Sequence, residues 1–128
     1  MSESDGTDWL PDGRGWFVRH AGDSYAISRR RPVRWDVVAR AAMPDVGRRR
    51  LAHAIRQDMW RMLRDLRGFA PVVEVTRTET GCDVRAGGRV DGPVPAGVSG
   101  RIAGMLSDPS YRAAWMRSAG HRAGQGGA

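Results

Sequence analysis

The sequence predicts an α+β fold: a small antiparallel sheet from two hairpins, over about residues 16–29 and 72–90, with helices over about 33–43, 46–67, 97–107 and 109–118 on one face. Two kinds of pattern lead there. Short runs of aromatic and β-branched residues come in pairs split by turn residues, which reads as hairpins. Between and after these pairs, apolar residues recur every three or four positions, which reads as amphipathic helices. The resulting order, ββαα twice over, packs economically as one sheet layer under one helix layer.

Residues 1–14 are rich in Gly, Asp and Ser, carry Glu3, Asp5, Asp8 and Asp12, and lack periodicity. They are expected to form a disordered acidic tail, with Trp9 and Leu10 docking only loosely. "GWFVRH" and "YAISRR" flank "AGDS", a hairpin signature. In "PVRWDVVARAAM", Trp35, Val38 and Ala42 fall at helical spacing before Pro44, so a short helix is expected. Asp45 is the expected N-cap of the long helix, and Gly68 its C-terminal stop. In "VVEVTRTETGCDVRAG" a turn centred on Thr80-Gly81 pairs Arg77 with Val84 and Val75 with Ala86. Val73, Val75, Cys82, Val84 and Ala86 then share the buried face.

Further on, Val98, Ile102, Met105 and Leu106 form a helical stripe. Asp108-Pro109 is a capping residue followed by a proline where its missing N–H costs nothing. Gly120 ends the last helix. The domain organisation expected is a disordered tail over 1–14, one α+β domain over 15–119, and a flexible tail over 120–128.

The chain has 128 residues, enough for a single core without metal or disulfide support. Its one cysteine, Cys82, excludes an intramolecular disulfide; with an acidic start unlike a signal peptide and no apolar run of membrane-spanning length, a cytoplasmic location is expected and a membrane is not. The net charge is +7, and all 21 basic residues are arginine. Residues 1–12 carry −4, residues 13–67 carry +9 and residues 68–128 carry +2. Arginine is the better fork for phosphate and carboxylate. Absence of lysine alongside many Gly and Ala also fits arginine-biased coding, so the charge alone does not identify a partner.

The densest basic segment is "RRRLAHAIRQDMWRMLRDLR", residues 48–67, with seven arginines and two aspartates. At ~100° per residue, Leu51, Ala52, Ile55, Met59, Met62, Leu63 and Leu66 fall in an arc of about 120°. Asp58 and Asp65 lie within reach of Arg61, leaving Arg49, Arg56, Arg64 and Arg67 locally unopposed. His53 and Trp60 fall in the same basic sector. A surface tryptophan among arginines suits stacking on a nucleic-acid base; a tryptophan packed under the first hairpin and covered by arginine stems is the structural alternative. His53 reads as a solvent-facing or hydrogen-bonded residue rather than a ligand. The second cluster, "SRRRPVR", contributes Arg29, Arg30, Arg31 and Arg34. The two clusters make a meaningful electrostatic footprint only if they lie side by side.

Catalytic motifs are largely excluded. Without lysine there is no phosphate-loop lysine and no Schiff-base nucleophile. His20, His53 and His121 share no ligand spacing, and Cys82 reads as a buried thiol. "DGRG" and "GGRVDG" read as turns. A helix-turn-helix over "RWDVVARAAMPDVGRRRLAHAIRQ" is disfavoured by the proline and by the length of the second helix. No constellation of catalytic roles, no metal site and no cofactor site emerges.

The functional expectation is therefore a small basic non-enzymatic protein that engages an anionic partner, nucleic acid ahead of an acidic protein surface. The candidate residues are Arg29, Arg30, Arg31, Arg49, Arg56, Trp60, Arg64 and Arg67. The alternative is a protein–protein adaptor or assembly factor, homodimeric in one version, that uses five tryptophans and an arginine-rich surface.

Overall fold

The computed structural model describes residues 8–120. The remainder of both expected tails lies outside the described residues. A six-stranded antiparallel sheet, in the order β1-β2-β3-β5-β6-β4, carries three helices on one face. The strands are β1 (Leu10–Pro11), β2 (Phe17–Ala21), β3 (Ser24–Ser28), β4 (Val37–Met43), β5 (Phe69–Arg77) and β6 (Cys82–Val90). The helices are α1 (Arg48–Leu63), α2 (Val98–Ser107) and α3 (Pro109–Ala119).

The two expected hairpins are β2–β3 and β5–β6, and they belong to one sheet. Tyr25 pairs with Val75 and Ile27 with Val73, so β3 and β5 form its centre. Alternation along these strands puts Ile27, Val73, Val75, Val84 and Ala86 on the helix side. There they meet Leu51, Ile55 and Met59 of α1, Ile102 and Leu106 of α2, and Trp115 of α3.

Four expectations need correction. Residues 33–43 do not form a helix, because Val37–Met43 is an edge strand paired with β6 along its whole length. The same segment that shows helical spacing also alternates: Val37, Ala39 and Met43 are buried, while Arg40 is exposed. Pairing with β6 decides between the two periods, since it satisfies the backbone and buries that alternate set. Gly87 is needed for it, because a Cβ there would sit 1.9 Å from the Val37 carbonyl oxygen.

The β5–β6 register is shifted by two residues: Arg77 pairs with Cys82, Val75 with Val84 and Val73 with Ala86. An even shift preserves the facing of every side chain, so the expected buried set is right although its partners are not. Residues 78–81 form the longer turn. Within it Gly81 adopts φ 158° and meets the Met43 carbonyl so closely that a Cβ would be 2.3 Å from its oxygen.

The long helix is shorter than residues 46–67. Its N-cap is Gly47, while Asp45 pairs with Arg77 at 3.6 Å instead of capping. The helix stops at Leu63, where Arg101 of α2 donates to the Met62 carbonyl at 3.1 Å. The chain then turns through Gly68, at φ 71°, into β5. Finally, the N-terminal tail is not disordered from Asp8 onward. Trp9 is buried at 2% exposure against Ala26 and Val72 on the sheet face opposite the helices, and β1 pairs with β2.

The remaining helices follow the sequence signals closely. The Asp108 carboxylate accepts from the backbone N–H groups of Ser110 and Tyr111 at 2.8 and 3.3 Å, with Pro109 in the first turn. Cys82 is buried on the helix side of the sheet, as its alternation predicts. No helix among the described residues is long and apolar enough to cross a membrane.

Candidate anion-binding flank

The outer face of α1 borders the β2–β3 hairpin, and their junction is a chain of named contacts. Alternation in the hairpin turns His20 and Tyr25 toward the helix layer as a cross-strand pair. His20 meets Tyr25 edge-on, with ring centroids 5.0 Å apart. The Tyr25 hydroxyl and His53 Nε2 share a hydrogen bond of 2.9 Å, which pins the hairpin to α1. Of the two readings of His53, solvent-facing or hydrogen-bonded, the structure shows the second. Burial, then the charges of Arg56 and Arg49, push its pKa below the usual 6.5. Burial also raises that of Tyr25.

One turn beyond His53, the Arg56 guanidinium lies 4.4 Å from the centroid of the Trp16 ring, and Arg29 approaches the same ring at 5.4 Å. Arg29 also donates to the Gly15 carbonyl. The two arginine clusters therefore meet, but around Trp16 rather than Trp60. Partial burial on that ring leaves Arg56 Nε without a hydrogen-bond partner among the described residues and lowers the pKa of the side chain.

Trp60 follows Arg56 by four residues on the same helix face and is 46% exposed. Arg64 and Arg67 continue beyond the helix end, exposed and without an ion pair among the described residues. Arg49, at the other end, is likewise exposed and forms no ion pair among the described residues, as is true of Arg50. The pairing expected for Arg61 is present with Asp58, at 3.0 Å. Asp65 lies past Leu63, off the helix, and makes no such contact.

Arg30 and Arg31 do not join this surface. Arg30 pairs with Asp91 at 3.3 Å. Arg31 lies 4.3 Å from the Phe17 ring centroid and donates to the Trp9 carbonyl, toward the sheet face away from the helices. That face shows what paired arginines look like. Glu74 receives Arg19 and Arg85, each at 2.9 Å, and those guanidinium groups lie over the Trp9 and Trp35 rings respectively.

A cleft of about 340 Å³ opens where the hairpin turn meets the start of α1, lined by His20, Ser24, Tyr25, Arg48, Arg49 and Arg50 among others. No carboxylate lines it among the described residues. The first turn of α1 contains no acid and no side-chain cap, so its three arginines reinforce the positive end of the helix instead of offsetting it.

Sequence reasoning missed Trp16, His20 and Tyr25 as parts of this surface. Alternation in "WFVRH" and "SYAIS" does assign His20 and Tyr25 to one sheet face. Nothing local says that α1 crosses beside that edge. The tryptophan surplus also shrinks in three dimensions. Trp9 and Trp115 are core residues, at 2% and 1% exposure, and Trp16 and Trp35 are covered by arginines, which leaves Trp60. Among the described residues, no group of three His, Cys, Asp or Glu side chains is placed to hold a metal.

No protein-family model, curated protein or solved structure matches the chain.

Proposed function

We propose that this is a non-enzymatic binding protein that takes nucleic acid along the α1 flank, through Arg29, Arg49, Arg56, Arg64 and Arg67, with Trp60 as the aromatic element. The observation that carries this reading is the contrast between the two faces. On the far side of the sheet, Arg19 and Arg85 share the Glu74 carboxylate. On the α1 flank the arginines stack on an indole or stand exposed, and the neighbouring Trp60 keeps 46% of its surface in solvent. Guanidinium groups supply phosphate contacts, while an exposed indole supplies sequence-tolerant stacking on an unpaired base. The expected ligand is thus single-stranded and bound with little sequence preference.

The test is anisotropy of a labelled random single-stranded oligonucleotide between about 50 and 200 mM salt. Binding should weaken by orders of magnitude over that range, because released counterions dominate such affinity. Arg64→Ala should weaken binding to all sequences and flatten the log–log salt slope by about 1. Affinity that ignores both salt and Arg64 would refute the reading. An exposed Trp and Arg surface also suits an acidic protein partner. Salt-labile capture of an acidic polypeptide together with indifference to DNA would move the assignment there.

A further inference from the structure

We propose, resting on the flank reading above, that the cleft between the β2–β3 turn and α1 seats the phosphomonoester at one end of a nucleic-acid strand. The side chains set the chemistry. Arg48, Arg49 and Arg50 line one concavity together with His20, and no carboxylate is among its described lining residues. Each guanidinium offers five N–H donors in a planar fork. An internal phosphodiester carries one charge, whereas a terminal phosphate approaches two and presents three free oxygens. A cationic site that is concave rather than flat favours the ligand with more charge and more acceptors per unit volume.

The wall of the cleft is fixed. Tyr25 is 5% exposed and its hydroxyl is held by His53. Preorganised groups of this kind bind without the cost of ordering loose side chains. The volume of about 340 Å³ lies at the small end of the range for ligand sites and suits a phosphate with part of its sugar.

The position is as informative as the composition. Arg49 and Tyr25 line the cleft; Tyr25 is hydrogen-bonded to His53, and Arg49 precedes His53 by four residues on the same helix face. The cleft and the flank therefore share a border. Trp60 follows Arg49 by eleven residues, or ~16 Å along the helix axis. A strand anchored by its end at Arg49 and Arg50 runs on past Arg56 toward Trp60. Strand ends, rather than strand interiors, are then the preferred substrate of the surface.

The experiment compares three probes on the full chain: a 5′-phosphorylated oligonucleotide, the same oligonucleotide ending in a hydroxyl, and inorganic phosphate. A 3′-phosphorylated strand is run beside the first, so that either end registers. The expected result is about tenfold tighter binding of a phosphorylated strand. That preference should collapse to a ratio near one in Arg50→Ala, with inorganic phosphate competing for the preference and shifting the backbone amide resonances of Ser24 and Arg50.

Equal affinity for phosphorylated and hydroxyl strands, with binding still salt-labile, would overturn the cleft and leave the flank standing. Absence of binding by every strand would overturn the flank. Phosphate that shifts those resonances in a protein that binds no strand would overturn the assignment to a strand end. A preference that survives Arg50→Ala and Arg48→Ala would place the phosphate elsewhere.

Discussion

Trp60 and Trp115 carry the same indole into opposite environments, and truncation should separate them. Trp115 is 1% exposed, stacks on Tyr111 and donates from Nε1 to Asp58 at 2.8 Å. Trp115→Ala removes core volume and a hydrogen bond to a charged group, and should cost about 3–5 kcal/mol in urea unfolding. Trp60→Ala should leave the unfolding midpoint nearly unchanged while weakening single-stranded binding by roughly 1–3 kcal/mol. Unaltered binding in that variant would remove Trp60 from the surface. His53 supplies a pH test. Its folded-state pKa lies below the unfolded value near 6.5, so the unfolded chain takes up its proton first. Above that pH both states are neutral and the residue contributes no slope. As pH falls from about 6.5 through the depressed folded value, stability is lost. His53→Gln keeps a polar side chain opposite the Tyr25 hydroxyl and should remove this part of the slope in unfolding measured between pH 5 and 8. Arg49, Arg56, Asp12, Tyr25 and His20 surround the site and remain in place in both proteins.

At the scale of elements, what the sequence reveals depends on whether the deciding partner is local. Asp108-Pro109 contains its own cap, and α3 starts where that signal says. Removal of the carboxylate in Asp108→Ala should cost about 1 kcal/mol. The alternation in β5 and β6 predicts their buried faces, because period and facing are properties of each strand. Their register is set by the length of the turn, and a longer turn moves it by two. The segment 37–43 satisfies two periods at once, so only pairing with β6, far along the chain, resolves it. Gly87 is the hinge of that choice. Gly87→Ala forces a methyl group to within 1.9 Å of the Val37 carbonyl oxygen, and the β4 edge must move or detach. A loss of about 2–4 kcal/mol is expected by chemical denaturation, with β4 amides exchanging first. Protection in β4 equal to that of the centre of the sheet would contradict this.

At the scale of the molecule, sequence showed where charge is dense but not which charges are neutralised. The excess over residues 13–67 divides in space. Arg19 and Arg30 face carboxylates, Arg31 crosses to the opposite side of the sheet, and Arg29 turns onto Trp16 beside Arg56. Adjacency of Arg29 and Arg56 rests on the β3–β5 pairing, which brings the first hairpin beside α1 and has no local signature. A linear charge count therefore overstates the basic surface and misplaces its centre.

The edge position of β4 has a consequence for biosynthesis. Among the described residues its only partner in the sheet is β6, so Met43 waits for Cys82 before it can pair. Translation at ≈ 5–20 residues per second separates their emergence by roughly 2–8 s. During that interval an apolar segment lacks its strand partner and is open to pairing with another ribosome's product. Slower decoding of the stretch between them should therefore lower soluble yield, whereas a trigger-type chaperone at the exit tunnel should restore it.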